Sequence, residues 1–258
     1  MKILAVYNLK GGVGKTASAV NLAHLAALDG ARTLIWDLDP QGAASFYFRV
    51  RPELDGGRKA LLAKKRRGEL GTQIRGTDTE RLDLIPADFS LRKMDIALDG
   101  QKKPGRWVER LLAPLADDYD FVFLDTPPSI SRLSESIFRA ATALLVPTIP
   151  TTLSLRTLDQ LEQHLDSSGL DVPVWPFFSM VDRRKRLHVE VIDGSDRSTY
   201  FSTTVPYASD VERMGVERCP VGELAPSGAA AQAYLALWSE VKQRLLEPAD
   251  HPSDDPRS

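Results

Sequence analysis

The segment KGGVGKT, residues 10–16, decides the fold of this chain. It lies between an apolar run and a helical pattern, and its last three residues match the end of the phosphate-binding loop pattern G-x-x-x-x-G-K-[ST]. Leu9 stands where that pattern has its first glycine, and Lys10 adds a second lysine next to it. The segment predicts a phosphate-binding loop with a lysine at each end.

The residue types in this loop suit phosphate chemistry. Glycines let backbone N–H groups turn inward around phosphate oxygens, and the N-terminus of the following helix adds the positive end of its dipole. Lys15 is expected to reach the β- and γ-phosphates, and the Thr16 hydroxyl is expected to bind Mg²⁺. The alternative is a glycine-rich turn that happens to contain lysines. The predicted nucleotide-binding residues of the loop are Lys10, Gly11, Gly12, Val13, Gly14, Lys15, Thr16 and Ala17.

Acidic residues end two of the apolar runs. Asp125 follows four apolar residues, where it is expected to contact Mg²⁺, directly or through a water. Its alternative role is to end a strand and begin the TPPS turn. Asp37 and Asp39 end another run, and ligand sites on open parallel sheets lie beyond the carboxyl ends of strands. Asp39 lies further along, so we expect it to orient the attacking water, and Asp37 to be structural. The predicted metal-site residues are Thr16, Asp39 and Asp125.

Apolar runs alternate with helical patterns along the chain. This alternation predicts an α/β fold, a mostly parallel twisted sheet with helices on both faces. We expect one domain over residues 1–246, a polar surface segment over 49–81, and a disordered acidic and proline-rich tail over 247–258. The predicted strands are 2–8, 33–39, 82–88, 121–125, 141–149 and 172–181. The predicted helices are 16–30, 90–99, 106–116, 131–140, 153–167 and 227–246.

Composition limits the possible functions. The chain has 258 residues, 43% of them hydrophobic, and a net charge of -2, so any binding of nucleic acid must come from a local patch. Cys219 is the single cysteine, which excludes an internal disulfide and a cluster held by several thiolates. No run approaches the roughly 20 apolar residues of a membrane span. These features favour a cytoplasmic protein.

Three motifs resemble those of the ParA/MinD ATPases. Residues 10–16 resemble the deviant Walker A motif, residues 37–42 the Walker A′ motif, and residues 123–128 the Walker B motif, with further similarity at 83–88 and from 205 onward. The resemblance implies a P-loop NTPase fold, ATP and Mg²⁺ as cofactors, and an ATPase that positions a cargo such as a plasmid, a chromosome locus or a protein microcompartment.

In that family two subunits sandwich two ATP molecules. The resemblance implies that Lys10 crosses into the partner's site and stabilises the charge of the transferring phosphoryl group, as an arginine finger does. The alternative is a lysine that faces solvent and only adds positive potential. The predicted catalytic residues are therefore Lys10, Lys15 and Asp39.

The resemblance also places a base pocket and a DNA surface. Segments after the strand near 172–181 and at the Val-Pro turn flank adenine in the family, which makes Asp182, Pro206 and Val211 candidates. Basic runs predict binding of phosphate backbone without sequence preference. The alternative for each run is a solvated charged face. The predicted DNA-binding residues are Arg183, Arg184, Lys185, Arg186, Arg213 and Arg218, and residues 58–67 form a further basic run.

The predicted partners are a second copy of the chain on ATP binding, nucleoid DNA, and a ParB-like or adaptor protein that stimulates hydrolysis. Two other functions stay open. One is a MinD-like positioning ATPase on a membrane surface, which the acidic, proline-rich end EPADHPSDDPRS does not favour. The other is an ATP-dependent metabolic synthase of the same superfamily.

Overall fold

Seven strands form one sheet in the computed structural model, which describes residues 1–62, 69–195 and 198–247. The strand order is β3-β4-β2-β5-β1-β6-β7. All neighbouring strands are parallel except β3, which pairs antiparallel with β4 at one edge. The strands are β1 (Lys2–Val6), β2 (Thr33–Asp37), β3 (Arg75–Gly76), β4 (Leu82–Ile85), β5 (Phe121–Asp125), β6 (Ala143–Thr148) and β7 (Val174–Phe178).

Helices connect the strands and cover both faces of the sheet. Three short 3₁₀ helices cover Phe89–Lys93, Pro104–Arg106 and Ala113–Leu115. The α-helices are α1 (Lys15–Leu28), α2 (Ala43–Tyr47), α3 (Arg58–Leu62), α4 (Glu69–Thr72), α5 (Met94–Asp99), α6 (Trp107–Leu112), α7 (Arg132–Ala140), α8 (Thr152–Ser167), α9 (Arg186–Gly194), α10 (Ser209–Glu217), α11 (Val221–Leu224) and α12 (Ala229–Leu246).

Alternation along the strands divides the core into two layers. In β1, Ile3 and Ala5 belong to one buried cluster, which also holds the apolar faces of α5 to α9. Leu4 and Val6 point to the other side, into a cluster with α1, α2, α10, α11 and α12. We call these the α7 face and the α1 face of the sheet. Both faces are covered, which explains why the strands are apolar runs and not alternating sequences.

The structure confirms the predicted fold class. All six predicted strands are present, β5 over the predicted range and the other five over shorter ranges, whereas β3, α2 to α4 and α9 to α11 were not predicted. The expected surface segment 49–81 also contributes to the core, since Leu54, Leu61 and Leu70 are buried against the α7 face. Of the predicted tail, residues 248–258 lie outside the described residues, as do residues 63–67 of the basic run. Within the described part, none of the helices combines the length and apolar character required to cross a bilayer.

His24 is a titratable group buried in the core. It lies in the middle of α1, is 3% exposed, and its Nδ1 is 3.1 Å from the Thr79 hydroxyl. Glu223 approaches the same nitrogen at 3.6 Å, but its own side chain is 44% exposed, so its charge is well screened. Burial therefore dominates and lowers the pKa of His24 to about 4.

This shift predicts a loss of stability at acidic pH. The folded pKa lies below the usual 6.5, so the unfolded chain takes up the proton first as the pH falls. The contribution of His24 is complete above pH 6.5 and is lost as the pH falls through about 4. Between pH 7 and pH 4, the free energy of unfolding of the wild type relative to His24→Gln should fall by roughly 2–3 kcal/mol in urea titrations. A constant difference over this range would contradict a neutral, buried His24.

Candidate nucleotide-binding site

The loop between β1 and α1 has the geometry of an anion site. Gly12 and Gly14 adopt positive φ angles of 71° and 92°, and a Cβ on Gly14 would lie 2.9 Å from the Ser179 hydroxyl. Gly14 is the N-cap of α1 and no side chain caps this end of the helix. The first N–H groups of the helix therefore point toward the loop without a side-chain acceptor, as phosphate binding requires.

The two lysines of the loop have different environments. Lys15 is 7% exposed, and its Nζ donates to the Lys10 carbonyl oxygen at 3.1 Å. Burial lowers the pKa of Lys15, and the charges of Asp125 and Asp39 oppose this shift. The Lys10 side chain leads away from the loop, and its Nζ lies 3.4 Å from the Ser154 hydroxyl near the start of α8. The structure thus separates a lysine held inside the loop from one at its rim.

Asn8 holds the start of the loop against β6, and the sequence analysis did not predict this role. It is buried, its Nδ2 donates to the Pro147 carbonyl oxygen at 2.9 Å, and its Oδ1 accepts from the Lys10 N–H at 2.8 Å. The side chain therefore ties the start of the loop to β6. The only signal in the sequence is a polar residue directly after an apolar strand.

Two carboxylates lie side by side at the carboxyl edge of the sheet. Asp37 and Asp125 are register partners on β2 and β5, and both are fully buried. They share a strand face with Ile35 and Phe123, so they lie on the α1 face, where the loop leads into its helix. The sequence predicted this convergence from the ends of the strands.

The hydrogen bonding of the two carboxylates differs. Asp37 Oδ2 accepts from the Ser45 N–H at 2.8 Å and from its hydroxyl at 2.7 Å, which suits the expected structural role. Neither oxygen of Asp125 has a partner of full hydrogen-bond geometry among the described residues, although the Thr16 side chain lies close enough to lower its pKa. Burial, with the nearby charge of Asp39, raises the pKa of Asp37 to about 6. Burial and the charge of Asp37 raise the pKa of Asp125 well above its usual value.

These observations fit a bound cation. A buried carboxylate without a partner is costly unless a cation or hydrogen-bond donors satisfy it. Asp125 has Lys15 and Thr16 as neighbours, and both oppose the rise of its pKa. Mg²⁺ is usually held by one or two carboxylates together with phosphates and water. The residues predicted for Mg²⁺ are therefore compatible with it.

Asp39 lies further out along the same edge. It is half-buried, its Oδ1 accepts from the Gln41 N–H at 2.9 Å, and its carbonyl oxygen accepts from the Gly42 N–H at 2.9 Å. The tight turn after β2 therefore fixes Asp39 near the mouth of the site, close enough for its charge to act on Lys15. Its role in orienting a water stays a prediction.

A pocket of about 480 Å³ lies beyond the end of β7. Asp182 and Pro206 both line it, as the base-pocket prediction requires, and a parallel bridge joins Val181 to Pro206. Val211 is not among the lining residues and packs against the core of the α1 face. The full lining is Val181, Asp182, Arg183, Arg184, Thr204, Pro206, Tyr207, Ala208 and Ser209. Tyr207, Ala208 and Ser209 were not predicted, and their position after the Val-Pro turn is the one sequence feature that points to them.

The four consecutive basic residues 183–186 lie at this edge and are all exposed. Arg184 pairs with Asp182 at 2.9 Å, and Arg186 pairs with Glu190 at 2.6 Å. Within the described ranges, neither Arg183 nor Lys185 forms an ion pair. Half of this run is therefore already paired with acids of the same chain.

The other two predicted DNA contacts lie on α10 and directly after it. Arg213 is placed between Asp210 at 3.8 Å and Glu217 at 3.5 Å. Arg218 follows the helix, donates to the Phe46 carbonyl oxygen at 3.0 Å, and stacks over the Phe46 ring. Because α10 starts at the pocket, Arg218 lies about 13 Å further along the helix axis at 1.5 Å per residue. The structure does not bring all six basic residues into one patch.

Comparison with known proteins identifies the family of this chain. The AAA domain family matches residues 1–168. The chromosome-partitioning ATPase Soj of Treponema pallidum is 31% identical over 253 residues, which cover 94% of this chain and 98% of that protein. Cobyrinic acid a,c-diamide synthase from Mycobacterium smegmatis, with a bound ATP analogue and magnesium, is 25% identical with a TM-score of 0.81, covering 99% of this chain and 100% of that chain.

A third comparison shows the fold alone. McdA of Cyanothece in complex with ATP has a TM-score of 0.78 at 22% identity, and the alignment covers 95% of this chain and 96% of that chain. The same fold is therefore found in a synthase and in McdA, two proteins that carry different names.

The unpartnered carboxylate of Asp125 gives a test of the metal site. Asp125→Asn removes a buried negative charge beside Asp37, so in EDTA at pH 8 it should raise the free energy of unfolding by about 1–3 kcal/mol. The variant should also lose the extra thermal stabilisation that Mg²⁺ adds in the presence of ATP. Thermal and urea denaturation with and without Mg²⁺ measure both effects.

The exposed Asp118 supplies the control, because Asp118→Asn removes the same charge from a surface side chain before β5, outside the site, and should leave both measurements unchanged. A variant Asp125→Asn that is less stable than the wild type without metal would show that the carboxylate has a stabilising partner in the free protein.

Proposed function

Since the chain belongs to the ParA/MinD family of P-loop ATPases, we propose that it hydrolyses ATP to ADP and phosphate in a cycle that positions or partitions a cargo. ATP and Mg²⁺ are its cofactors. The observation that carries the proposal is the pair of lysines in one loop, Lys15 held inside it and Lys10 directed away from it. A single-subunit phosphate site needs only the first of these.

The residues of one subunit account for binding and orientation. The N–H groups of the loop and Lys15 bind the phosphates, and Thr16 with Asp125 would hold Mg²⁺. The metal, when bound, neutralises charge that develops on the phosphate oxygens. Asp39 is fixed by its turn at the rim of the site, where its carboxylate orients the attacking water.

Lys10 completes the site of a second copy. Its backbone is held by Asn8 and by Lys15, while its side chain forms one weak hydrogen bond among the described residues, to the Ser154 hydroxyl at 3.4 Å. In an ATP-bound dimer this cation faces the partner's phosphates and stabilises the transition state, an effect worth roughly 10³–10⁵ in rate for comparable fingers. Dimerisation is thereby coupled to the presence of the triphosphate.

We propose nucleoid DNA as the surface to which the ATP-bound protein binds while it positions the cargo. Arg183 and Lys185 are exposed and unpaired within the described ranges, and basic side chains without interleaved aromatics suit contact with the phosphate backbone. Dimerisation doubles these contacts, so ATP can switch DNA affinity. The relative named a chromosome-partitioning ATPase supports a partitioning role, and a ParB-like or adaptor protein is the proposed activator.

A synthase that activates a carboxylate is the second candidate, because the structure of cobyrinic acid a,c-diamide synthase matches the chain along its full length. Product analysis separates the two. Hydrolysis leaves only ADP and phosphate, whereas a synthase consumes ATP in step with the amidation of a small acid.

Replacing Lys10 tests the dimer. Lys10→Ala should abolish ATP-dependent dimers and reduce ATP turnover by at least about 10³-fold, because the partner's phosphates lose their cation from the second subunit. Light scattering coupled to size-exclusion chromatography with ATP and Mg²⁺ measures the dimer, and phosphate release measures turnover.

Asp39→Ala is the matched variant for this experiment. It leaves both lysines in place, so it should bind ATP, form the dimer and retain it because hydrolysis is lost. Dimers of normal stability in Lys10→Ala would refute the role of Lys10, and normal turnover in Asp39→Ala would refute that of Asp39.

DNA binding is tested at the two unpaired basic residues. The double variant Arg183→Ala/Lys185→Ala should weaken retention of ATP-loaded protein on DNA of any sequence and reduce the slope of log affinity against log salt by about 2 per subunit. Lys2→Ala removes a cation from the opposite edge of the sheet and should change neither. If the ATP-loaded wild type is not retained on DNA at low salt, the proposal that it binds nucleoid DNA is wrong.

A further inference from the structure

The Arg184 side chain covers the Asp182 carboxylate at the wall of the pocket after β7. The Arg184 N–H and Nε donate to Asp182 Oδ1 at 3.1 and 2.9 Å, and its Nη2 donates to Oδ2 at 3.0 Å. Both residues line the pocket. The Asp182 side chain is only 14% exposed, whereas that of Arg184 is 87% exposed. The guanidinium therefore covers both oxygens of a carboxylate that is otherwise part of the pocket wall.

This covering matters for the bases that the pocket can take. An ionised carboxylate only accepts hydrogen bonds. Guanine presents two donors on neighbouring positions of its Watson–Crick edge, N1–H and the N2 amino group, and a free carboxylate matches both of them. Adenine presents one donor and one acceptor on that edge, so it gains less from a carboxylate. An uncovered Asp182 in this pocket would favour guanine.

We propose that Arg184 determines the base selectivity of the pocket by occupying the Asp182 carboxylate, so that the pocket takes adenine nucleotides and rejects guanine nucleotides. To reach the Asp182 carboxylate, guanine would have to displace a guanidinium that donates to both of its oxygens. The free-energy cost of this displacement disfavours guanine and so supplies the specificity. The inference rests on the proposed function, because it assigns the pocket to the base of the nucleotide bound by the phosphate loop.

The position of the pocket supports this assignment. Ser179, just after β7, lies within 2.9 Å of the Cβ position of Gly14 in the phosphate loop. Three residues later the chain reaches Asp182. The loop and the pocket therefore share one edge of the sheet and one connecting segment.

The turn that carries Asp182 does not depend on the guanidinium. The Asp182 N–H donates to His188 Nδ1 at 3.1 Å, and the Lys185 N–H donates to the Asp182 carbonyl oxygen at 3.0 Å. His188 is buried, and Val181 is held by backbone hydrogen bonds to the segment of Pro206. Truncation of the Arg184 side chain should thus leave the carboxylate in place and uncovered.

The test compares two nucleotides on each variant. Displacement of a fluorescent ATP analogue by ATP and by GTP, in Mg²⁺, gives the ratio of their dissociation constants. Removal of Arg184 also removes a cation from the wall of the pocket, which should weaken both nucleotides alike, so the ratio is the informative quantity. In Arg184→Ala the preference for ATP over GTP should fall by at least about tenfold relative to the wild type.

Two further variants identify the cause. Arg186→Ala removes the same charge from the adjacent basic run, but Arg186 pairs with Glu190 and does not line the pocket, so its ratio should equal that of the wild type. In the double variant Asp182→Ala/Arg184→Ala the gain for GTP should disappear, because the acceptor is gone.

The outcomes are distinct. An unchanged ratio in Arg184→Ala, with ATP still bound, overturns the inference and leaves the proposed function intact. A gain for GTP that persists in the double variant overturns it as well, since the gain then does not come from Asp182. A wild type that binds neither nucleotide overturns the proposed function and the inference with it.

Discussion

Two buried carboxylates that face each other across neighbouring strands are the constraint on which the site depends. Asp37 and Asp125 are in register at the carboxyl ends of β2 and β5, so the sheet itself fixes their separation. Burial raises the pKa of both, and the second has no partner of full hydrogen-bond geometry among the described residues. Such a pair is stable in its ionised form only beside positive charge. Lys15 and the N-terminus of α1 supply part of it, and a bound cation supplies the rest.

The phosphate loop is fixed from several elements. Asn8 ties its start to β6, Ser179 after β7 leaves no room for a Cβ at Gly14, and Lys15 closes the loop on the Lys10 carbonyl. Its shape therefore depends on the segments that follow β6 and β7 as well as on its own glycines. The first of these segments leads to Ser154, which contacts Lys10, and the second leads to the pocket proposed for the base. The contacts proposed for phosphate, base and partner subunit lie close together because the parallel sheet ends all these segments at the same edge.

The sequence predicted what local pattern can encode. A glycine-rich loop between an apolar strand and a helix, and aspartates at the ends of apolar runs, are short-range signals, and the fold class with its six main strands follows from their alternation. Asn8 and Ser179 were missed because their partners lie 139 and 165 residues away along the chain. The buried leucines of segment 49–81 were missed because isolated apolar residues such as Leu61, set among many charged residues, form no periodic apolar pattern.

The basic run after β7 shows why counting charges overestimates a binding surface. Arg184 covers Asp182, and Arg186 pairs with Glu190 one helical turn away, so two of the four cations already have acidic partners. Exposed ion pairs contribute little to stability, and the pairing of Arg184 is better explained by what it does to the pocket than by what it adds to the fold. Arg183 also lines the pocket, while Lys185 precedes α9 on the outer surface. The same short loop thus faces the pocket on one side and solvent on the other, which places any surface contact within a few residues of the proposed base site.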